Sequence, residues 1–114
     1  MLFAALASVV IATCYDGDTC TTTTGERVRL ACIDTPELVG KRAEPVPART
    51  ARGHLRCLVG GQEGWLRRIT EDRYGRTVAE LFLGQTNVQQ EMLASGHAEI
   101  YWRHAYKCPW TEGE

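Results

Sequence analysis

Two acidic motifs stand close together in the first third of the chain, and an arginine separates them. The first is Asp-Gly-Asp-Thr at 16–19, the second is Asp-Thr-Pro-Glu at 34–37, and Arg29 lies between. A third motif, Asp-Arg-Tyr-Gly-Arg at 72–76, brings a second arginine, Arg76. Hydrolysis of a phosphodiester requires a cation at the phosphate oxygens, a base to orient water and fixed positive charge for the transition state. The three motifs contain side chains for each task.

The residue types assign a role to each candidate. Asp18 and Asp34 are candidate metal ligands, and their oxygen donors favour Ca²⁺ or Mg²⁺ over zinc because neither motif contains His or Cys. Glu37 is the candidate general base. Arg29 and Arg76 are candidate phosphate clamps, since a guanidinium group matches phosphate oxygens and stays charged. Taken singly, each of these residues is common in turns or on protein surfaces. The prediction of a site therefore rests on all of them together.

Strand geometry sets a condition on this shared site. On a straight strand, the chain from Arg29 to Asp34 covers about 17 Å, and the two side chains point to opposite faces. They can share a site only if the strand curves or bulges strongly, as small barrels allow.

Composition favours one globular domain with an ordinary balance of residues. The chain has 114 residues, of which 44% are apolar and 24% charged, and its net charge is −1. Any phosphate-binding patch must therefore be local, because the domain as a whole is not basic. No apolar run is long enough to span a membrane.

The hydrophobic patterning predicts a small barrel that carries two helices. The predicted strands are Ser8–Thr13, Thr19–Thr24, Arg27–Ile33, Gln62–Thr70 and Thr77–Leu83, with a short final strand within His97–Trp102. The predicted helices are Ala48–Val59, after a loop from Leu38 to Pro47, and Val88–Ser95, for which Asn87 is the predicted N-cap. Five short strands in this order predict an α+β, mainly β fold: a five-stranded β-barrel of the oligonucleotide/oligosaccharide-binding (OB) type.

Five cysteines are many for a chain of this size, and they form no C-x-x-C pair. They are consistent either with disulfides in an oxidising compartment or with buried thiols in a cytosolic protein. An odd number leaves at least one thiol unpaired. We expect at least one disulfide among Cys14, Cys20, Cys32 and Cys108, with Cys57, on the predicted helix, as the free thiol.

The motifs, taken together, resemble those of the staphylococcal-nuclease-like (thermonuclease) family. The matching pieces are residues 16–19, Arg-Leu-Ala-Cys-Ile-Asp-Thr-Pro-Glu at 29–37, residues 72–76 with Ala79, and Val-Gln-Gln-Glu-Met-Leu-Ala-Ser-Gly at 88–96 followed by Ala98. They occur in the family's order and at nearly its spacing, over roughly Ser8 to Trp102.

The resemblance implies a five-stranded barrel with helices and a Ca²⁺-dependent enzyme that cuts DNA and RNA and leaves 3′-phosphates. The positions that match the family's functional residues are Asp18, Asp34 and the Thr35 carbonyl for calcium, Glu37 for the base, and Arg29 and Arg76 for the catalytic arginines. Two features depart from the family: its founding member is strongly basic, and its third, C-terminal helix has no clear counterpart in the tail at 106–114.

Some local positive charge remains near these motifs. Lys41, Arg73 and Tyr74 are weaker candidates for substrate binding, and Tyr74 or Trp102 could stack on a base. We expect a monomeric calcium-dependent nuclease with nucleic acid as its substrate and no membrane or obligate protein partner. The alternative is a non-catalytic module of the same fold that binds nucleic acid or protein.

The predicted domain organisation is a nuclease-like domain at 8–105 and a tail at 106–114. Residues 1–7 are either the remnant of a signal peptide, with the small-residue sequence Ala-Leu-Ala at 5–7, or the lead-in to the first strand. Export is the expected localisation, because a non-specific nuclease would threaten nucleic acid in the cytosol. A cytoplasmic location is the alternative.

Overall fold

Five strands form a closed barrel in the computed structural model, which describes residues 6–113. They are β1 Leu6–Cys14, β2 Thr19–Thr22, β3 Arg27–Leu30, β5 Glu63–Glu71 and β6 Thr77–Leu83, and they follow the order β3-β2-β1-β5-β6. Neighbouring strands are antiparallel, and a parallel pairing between β3 and β6 closes the barrel. The predicted mainly β barrel is confirmed.

Three two-residue strands complete the sheets. They are β4 Ile33–Asp34, β7 Thr86–Asn87 and β8 Glu99–Ile100. β4 pairs with β8 in a separate small sheet, and β7 pairs with the end of β6.

The long strand β1 curves because its first half pairs with one strand and its second half with another. Leu6 to Val10 pair with β5, whereas Ile11 to Cys14 pair with β2, and the register shifts between Ile11 and Thr13. Such a shift bends and twists a strand, which a barrel of this size requires. Inward-facing side chains then fill the interior, and the largest that are fully buried on the five strands are Ile11, Val28, Leu30, Leu66 and Leu81.

Two α-helices pack on the barrel, α1 Pro45–Val59 and α2 Val88–Ala94. α1 begins three residues before the predicted start at Ala48. Pro45 and Pro47 fall in its first turn, where a missing N–H breaks no helical hydrogen bond. The two prolines, which were predicted to lie in the preceding loop, therefore belong to the helix. α2 begins as predicted, since the Asn87 side chain accepts a hydrogen bond from the Gln90 backbone N–H at 3.1 Å.

The C-terminal segment differs most from the prediction. The final strand is only Glu99–Ile100, and two 3₁₀ helices follow at Trp102–Lys107 and Pro109–Gly113. A 3₁₀ helix repeats every three residues, so a search for helical or strand periodicity misses it. The segment is fastened to the barrel, because Trp110 Nε1 donates to Glu80 Oε2 at 2.9 Å and Arg67 Nη2 donates to the Lys107 carbonyl at 3.0 Å.

Two disulfides form among the four cysteines for which at least one disulfide was predicted. Cys14 pairs with Cys20 across the β1–β2 hairpin, and Cys32 pairs with Cys108 in the C-terminal segment. Cys57 on α1 is free, as predicted, and its side chain is exposed.

At the N-terminus, residues 1–5 of the predicted signal remnant or lead-in lie outside the described part of the chain, and β1 begins at Leu6. No helix within residues 6–113 combines the length and apolar character needed to cross a membrane.

Candidate active site

A break in the chain after β3 brings Arg29 and Asp34 together. The predicted continuous strand Arg27–Ile33 is wrong: β3 ends at Leu30, and Cys32 takes a left-handed conformation with φ 69° before β4 begins. Arg29 Nη1 donates to the carbonyls of Leu30 at 2.6 Å and Ile33 at 2.9 Å, which fixes its guanidinium group under this turn. Arg29 Nη2 consequently lies 3.8 Å from Asp34 Oδ1.

Asp18 joins the two acidic motifs. Its side chain is almost fully buried, and its Oδ2 accepts hydrogen bonds from the Thr35 backbone N–H at 3.2 Å and the Thr35 hydroxyl at 3.0 Å. Its Oδ1 accepts from the Thr19 hydroxyl at 3.2 Å, and Arg29 Nη1 lies 3.4 Å from Oδ2. One buried carboxylate therefore positions residues from both motifs and one of the arginines.

Gly17 permits this close packing. A Cβ at this position would lie 2.9 Å from the Ala51 Cβ on α1 and 3.0 Å from the Thr35 Cβ. A side chain here would push apart α1 and the loop that carries Thr35, which explains the glycine between the two aspartates of the first motif.

The Asp18 carboxylate repels two neighbouring carboxylates, those of Asp16 and Asp34. Burial, together with the neighbouring Asp18 carboxylate, raises the pKa of Asp16 to about 6. The pKa of Asp34 is also raised, first by burial and then by the charge of Asp18, although Arg29 opposes the shift. A divalent cation would relieve such repulsion, and the oxygen donors suit a hard ion such as Ca²⁺.

Carboxylates alone do not complete a metal site here. Within residues 6–113, no three His, Cys, Asp or Glu side chains converge on a point that could hold a metal. A cation at Asp18 and Asp34 would need backbone carbonyl oxygens and water as its remaining ligands, which is the usual coordination of Ca²⁺.

The turn between β5 and β6 holds the second arginine. Asp72 accepts hydrogen bonds from the backbone N–H groups of Tyr74 and Arg76, each at 2.9 Å, and from Arg76 Nε at 2.7 Å. Burial alone would raise the pKa of Asp72, but these hydrogen bonds together lower it. Arg76 Nη1 also lies 3.4 Å from the Thr19 hydroxyl, so Arg76 is linked through Thr19 to Asp18.

Five of the six predicted catalytic and metal-site residues line two neighbouring cavities, and the buried Asp18 lines neither. One, of about 500 Å³, is lined by Arg29 and Arg76. The other, of about 330 Å³, is lined by Asp34, Thr35 and Glu37. The Arg29–Asp34 ion pair connects the two, because its members line different cavities and lie 3.8 Å apart. We refer to these below as the cationic cavity and the acidic cavity.

The base candidate sits in an exposed loop whose backbone is fixed. The Glu37 carbonyl accepts a hydrogen bond from the Glu44 backbone N–H at 2.9 Å, and Glu37 forms a short bridge with Ala43. The Glu37 side chain is exposed and lines the acidic cavity, so water has direct access to its carboxylate.

The weaker substrate-binding candidates divide between the two cavities and the outer surface. Arg73 and Tyr74 line the cationic cavity, where Arg73 Nη2 donates to the Tyr74 hydroxyl at 2.8 Å. Lys41 lines neither cavity, whereas its neighbour Arg42 lines the acidic one. Trp102 is exposed and lines neither of the two.

Sequence reasoning missed part of the cationic cavity. Arg103, His104 and Lys107, all on the first 3₁₀ helix, line it together with the expected arginines. The mixture of aromatic and basic residues from Trp102 to Lys107 is the signal that could have identified them. Asp16 belongs to the first acidic motif but was not predicted as a site residue, although its carboxylate lies next to that of Asp18.

Comparisons with known proteins show the family of the chain. The family model described as "Staphylococcal nuclease homologue" matches residues 27–111. The chain is also similar to a protein of Kluyveromyces lactis named "Probable endonuclease LCL3", with 37% identity over 81 residues. That match covers 65% of this chain but only 30% of the relative, so the chain spans less than a third of that protein's length. On the family match, which extends from β3 into the C-terminal segment and covers more than half of the chain, the chain belongs to the staphylococcal nuclease homologues.

Proposed function

We propose that this domain is a calcium-dependent nuclease that hydrolyses phosphodiester bonds of DNA or RNA and leaves 3′-phosphates. One observation carries the proposal: the Arg29–Asp34 ion pair joins a cavity lined by arginines to a cavity lined by carboxylates. A phosphodiester placed at this junction meets positive charge on one side and a candidate base on the other. The name of the Kluyveromyces lactis relative supports the same class of activity.

The roles follow from where the side chains lie. Asp18, Asp34 and the Thr35 carbonyl would hold calcium, which supplies positive charge at the phosphate and at the attacking water. Asp18 is fixed by Thr35 and Thr19, and Arg29 by two backbone carbonyls, so little reorganisation is needed when substrate binds. Arg76 is fixed by Asp72 in the same way.

The reaction then needs one proton acceptor and stabilisation of the negative charge that develops. Glu37 takes a proton from water as the water oxygen forms its bond to phosphorus. The bond from phosphorus to the 5′ oxygen breaks, and this oxygen takes up a proton from solvent, which gives a 3′-phosphate and a 5′-hydroxyl. Arg29 and Arg76 donate hydrogen bonds to the phosphate oxygens and to the departing oxygen while the charge on them is greatest.

Calcium binding is testable without any activity measurement. Saturating Ca²⁺ should raise the melting temperature of the protein, since a ligand at 100 times its Kd stabilises the folded state by about 2.7 kcal/mol. Asp34→Asn should abolish most of this gain. Its side chain is largely exposed, so the variant should still fold. The matched control is Glu71→Gln, an exposed carboxylate at the end of β5, which should keep the full response. An equal response in all three proteins would contradict calcium binding at Asp34.

The disulfides support a proposal about location. Disulfides persist in oxidising compartments and are rare where thioredoxin and glutathione keep thiols reduced. We infer from Cys14–Cys20 and Cys32–Cys108 that the protein works after export. The weak calcium affinity typical of extracellular sites would also suit such a location.

A further inference from the structure

The cationic cavity contains more positive charge than the proposed reaction uses. Arg29 and Arg76 are assigned to the scissile phosphate. Arg103 and Lys107, on the first 3₁₀ helix, line another part of the same cavity and have no role in that chemistry. We call this part, defined by Arg103, His104 and Lys107, the 3₁₀ wall.

Within the described residues 6–113, the cations of the 3₁₀ wall have no carboxylate partner. Among the ion pairs formed within residues 6–113, none involves Arg103 or Lys107, whereas four of the other arginines pair with Asp or Glu. The pKa of His104 is lowered, first by burial and then by the positive charges of Lys107, Arg103 and Arg29. Lys107, Arg103 and Arg29 thus lie close enough to His104 to disfavour a positive charge on its ring. Arg29 is paired with Asp18 and Asp34, so the excess positive charge comes from Arg103 and Lys107, and this excess favours an anion in the cavity.

The 3₁₀ wall is firmly attached to the barrel. The Tyr101 backbone N–H, just before the helix, donates to the Cys32 carbonyl at 2.8 Å. At its other end, the Lys107 carbonyl accepts from Arg67 Nη2 at 3.0 Å, and the next residue, Cys108, forms the disulfide with Cys32. The Tyr101 hydrogen bond and the disulfide both lead to Cys32, in the turn that follows Arg29, and the Lys107 hydrogen bond leads to β5. The positions of Arg103 and Lys107 relative to Arg29 are therefore set before any ligand arrives.

We infer that Arg103 and Lys107 form a second phosphate subsite, which binds a phosphodiester of the same nucleic-acid strand next to the one that is cleaved. The inference rests on the proposed nuclease function. A cavity of about 500 Å³ has the size of a small-molecule binding site, larger than one phosphate group needs. With cations on two of its walls, it suits a segment of strand that carries successive phosphates. The domain should accordingly prefer an oligonucleotide to a dinucleotide with a single phosphodiester.

Binding without cleavage gives the direct test. The probe is a fluorescent single-stranded oligonucleotide of about twelve nucleotides, long enough to fill one OB-type barrel. Its anisotropy is titrated in the presence of a chelator with the parent and with the double variant Arg103→Ala/Lys107→Ala. We expect at least tenfold weaker binding by the variant. The slope of log K against log salt should also fall by about 0.7, the value for one lost phosphate contact on a single strand.

The matched control removes the same charge elsewhere. Arg49→Ala/Arg52→Ala changes two cations on α1 that line neither cavity, and it should bind the probe as the parent does. Because Lys107 is partly buried, the single variant Arg103→Ala, at an exposed position, provides the same test with less effect on folding. A second readout is the ratio of kcat/KM for the oligonucleotide to that for a dinucleotide, which should fall about tenfold in the double variant.

The outcomes separate this inference from the proposed function. If the parent binds the oligonucleotide but never cleaves it, the nuclease proposal fails, and the binding comparison still decides the subsite. If the double variant binds as tightly as the parent, or if both double variants weaken binding equally, the second subsite is refuted. An equal loss for dinucleotide and oligonucleotide would also refute it, since Arg103 and Lys107 would then act at the scissile phosphate itself.

Discussion

Replacing Arg76 with alanine should lower kcat for phosphodiester cleavage about 10³-fold, the cost of removing one fixed donor to a developing oxyanion. The guanidinium group is positioned by Asp72 and by the Thr19 hydroxyl, so its alignment with the phosphate does not depend on substrate. Lysine at this position should not restore activity, because an ammonium group cannot bind Asp72 and phosphate oxygens with the same planar geometry. Steady-state cleavage of a defined oligonucleotide measures both effects.

Arg73→Ala is the matched control for this experiment. Arg73 lies in the same turn and lines the same cavity, but its side chain interacts with Tyr74 instead of with the network around Asp18. It should change KM a few fold and leave kcat within about threefold, as expected for a residue that contributes only to ground-state binding. Equal losses of kcat in the two variants would contradict a catalytic role for Arg76. Thermal unfolding should confirm that both variants keep the fold, since Asp72 still accepts two backbone N–H groups.

Removing the Cys32–Cys108 disulfide should lower the free energy of unfolding by about 4 kcal/mol. The two cysteines are 76 residues apart, so their link removes much conformational entropy from the unfolded chain. Cys14 and Cys20 are only 6 residues apart, and the same argument gives about 2 kcal/mol for their disulfide. Denaturant unfolding of Cys32→Ala/Cys108→Ala and of Cys14→Ala/Cys20→Ala tests this order.

Cys57→Ala serves as the control for the disulfide variants. Its thiol is free and exposed, so the change in stability should stay within about 0.5 kcal/mol. Alkylation of the unreduced, natively produced protein should modify one cysteine, and intact mass after reduction should show five. Five modified cysteines before reduction would contradict both disulfides and the argument for export.

The barrel and its helices could be predicted because they follow regular patterns. β-branched residues are concentrated in β1 and β2, β6 is mostly apolar, and apolar residues at helical spacing mark the buried face of α1. The sequence did not show where β3 ends. Cys32 has a positive φ, which is uncommon for a residue other than glycine, and its disulfide partner Cys108 lies 76 residues away in the sequence.

The same break explains why the site could be predicted only as a set of residues. On a regular strand, the side chains of Arg29 and Asp34 would point to opposite faces. The motifs therefore predicted which residues form the site but not how they are arranged in space. The 3₁₀ wall was missed because its period is three and because a disulfide joins it to residues far away in the sequence. Local patterning carries no information about such a contact.

The most direct test of the account is digestion of denatured and double-stranded DNA, and of RNA, with added Ca²⁺ and with a chelator. Parent protein should cleave at least one of these substrates in Ca²⁺, leave 3′-phosphates on the fragments, and lose the activity in the chelator. Glu37→Gln should remain inactive in both conditions while it still binds the nucleic acid. Equal behaviour of the parent with Ca²⁺ and with chelator, at high protein concentration, would contradict a calcium-dependent nuclease at this site.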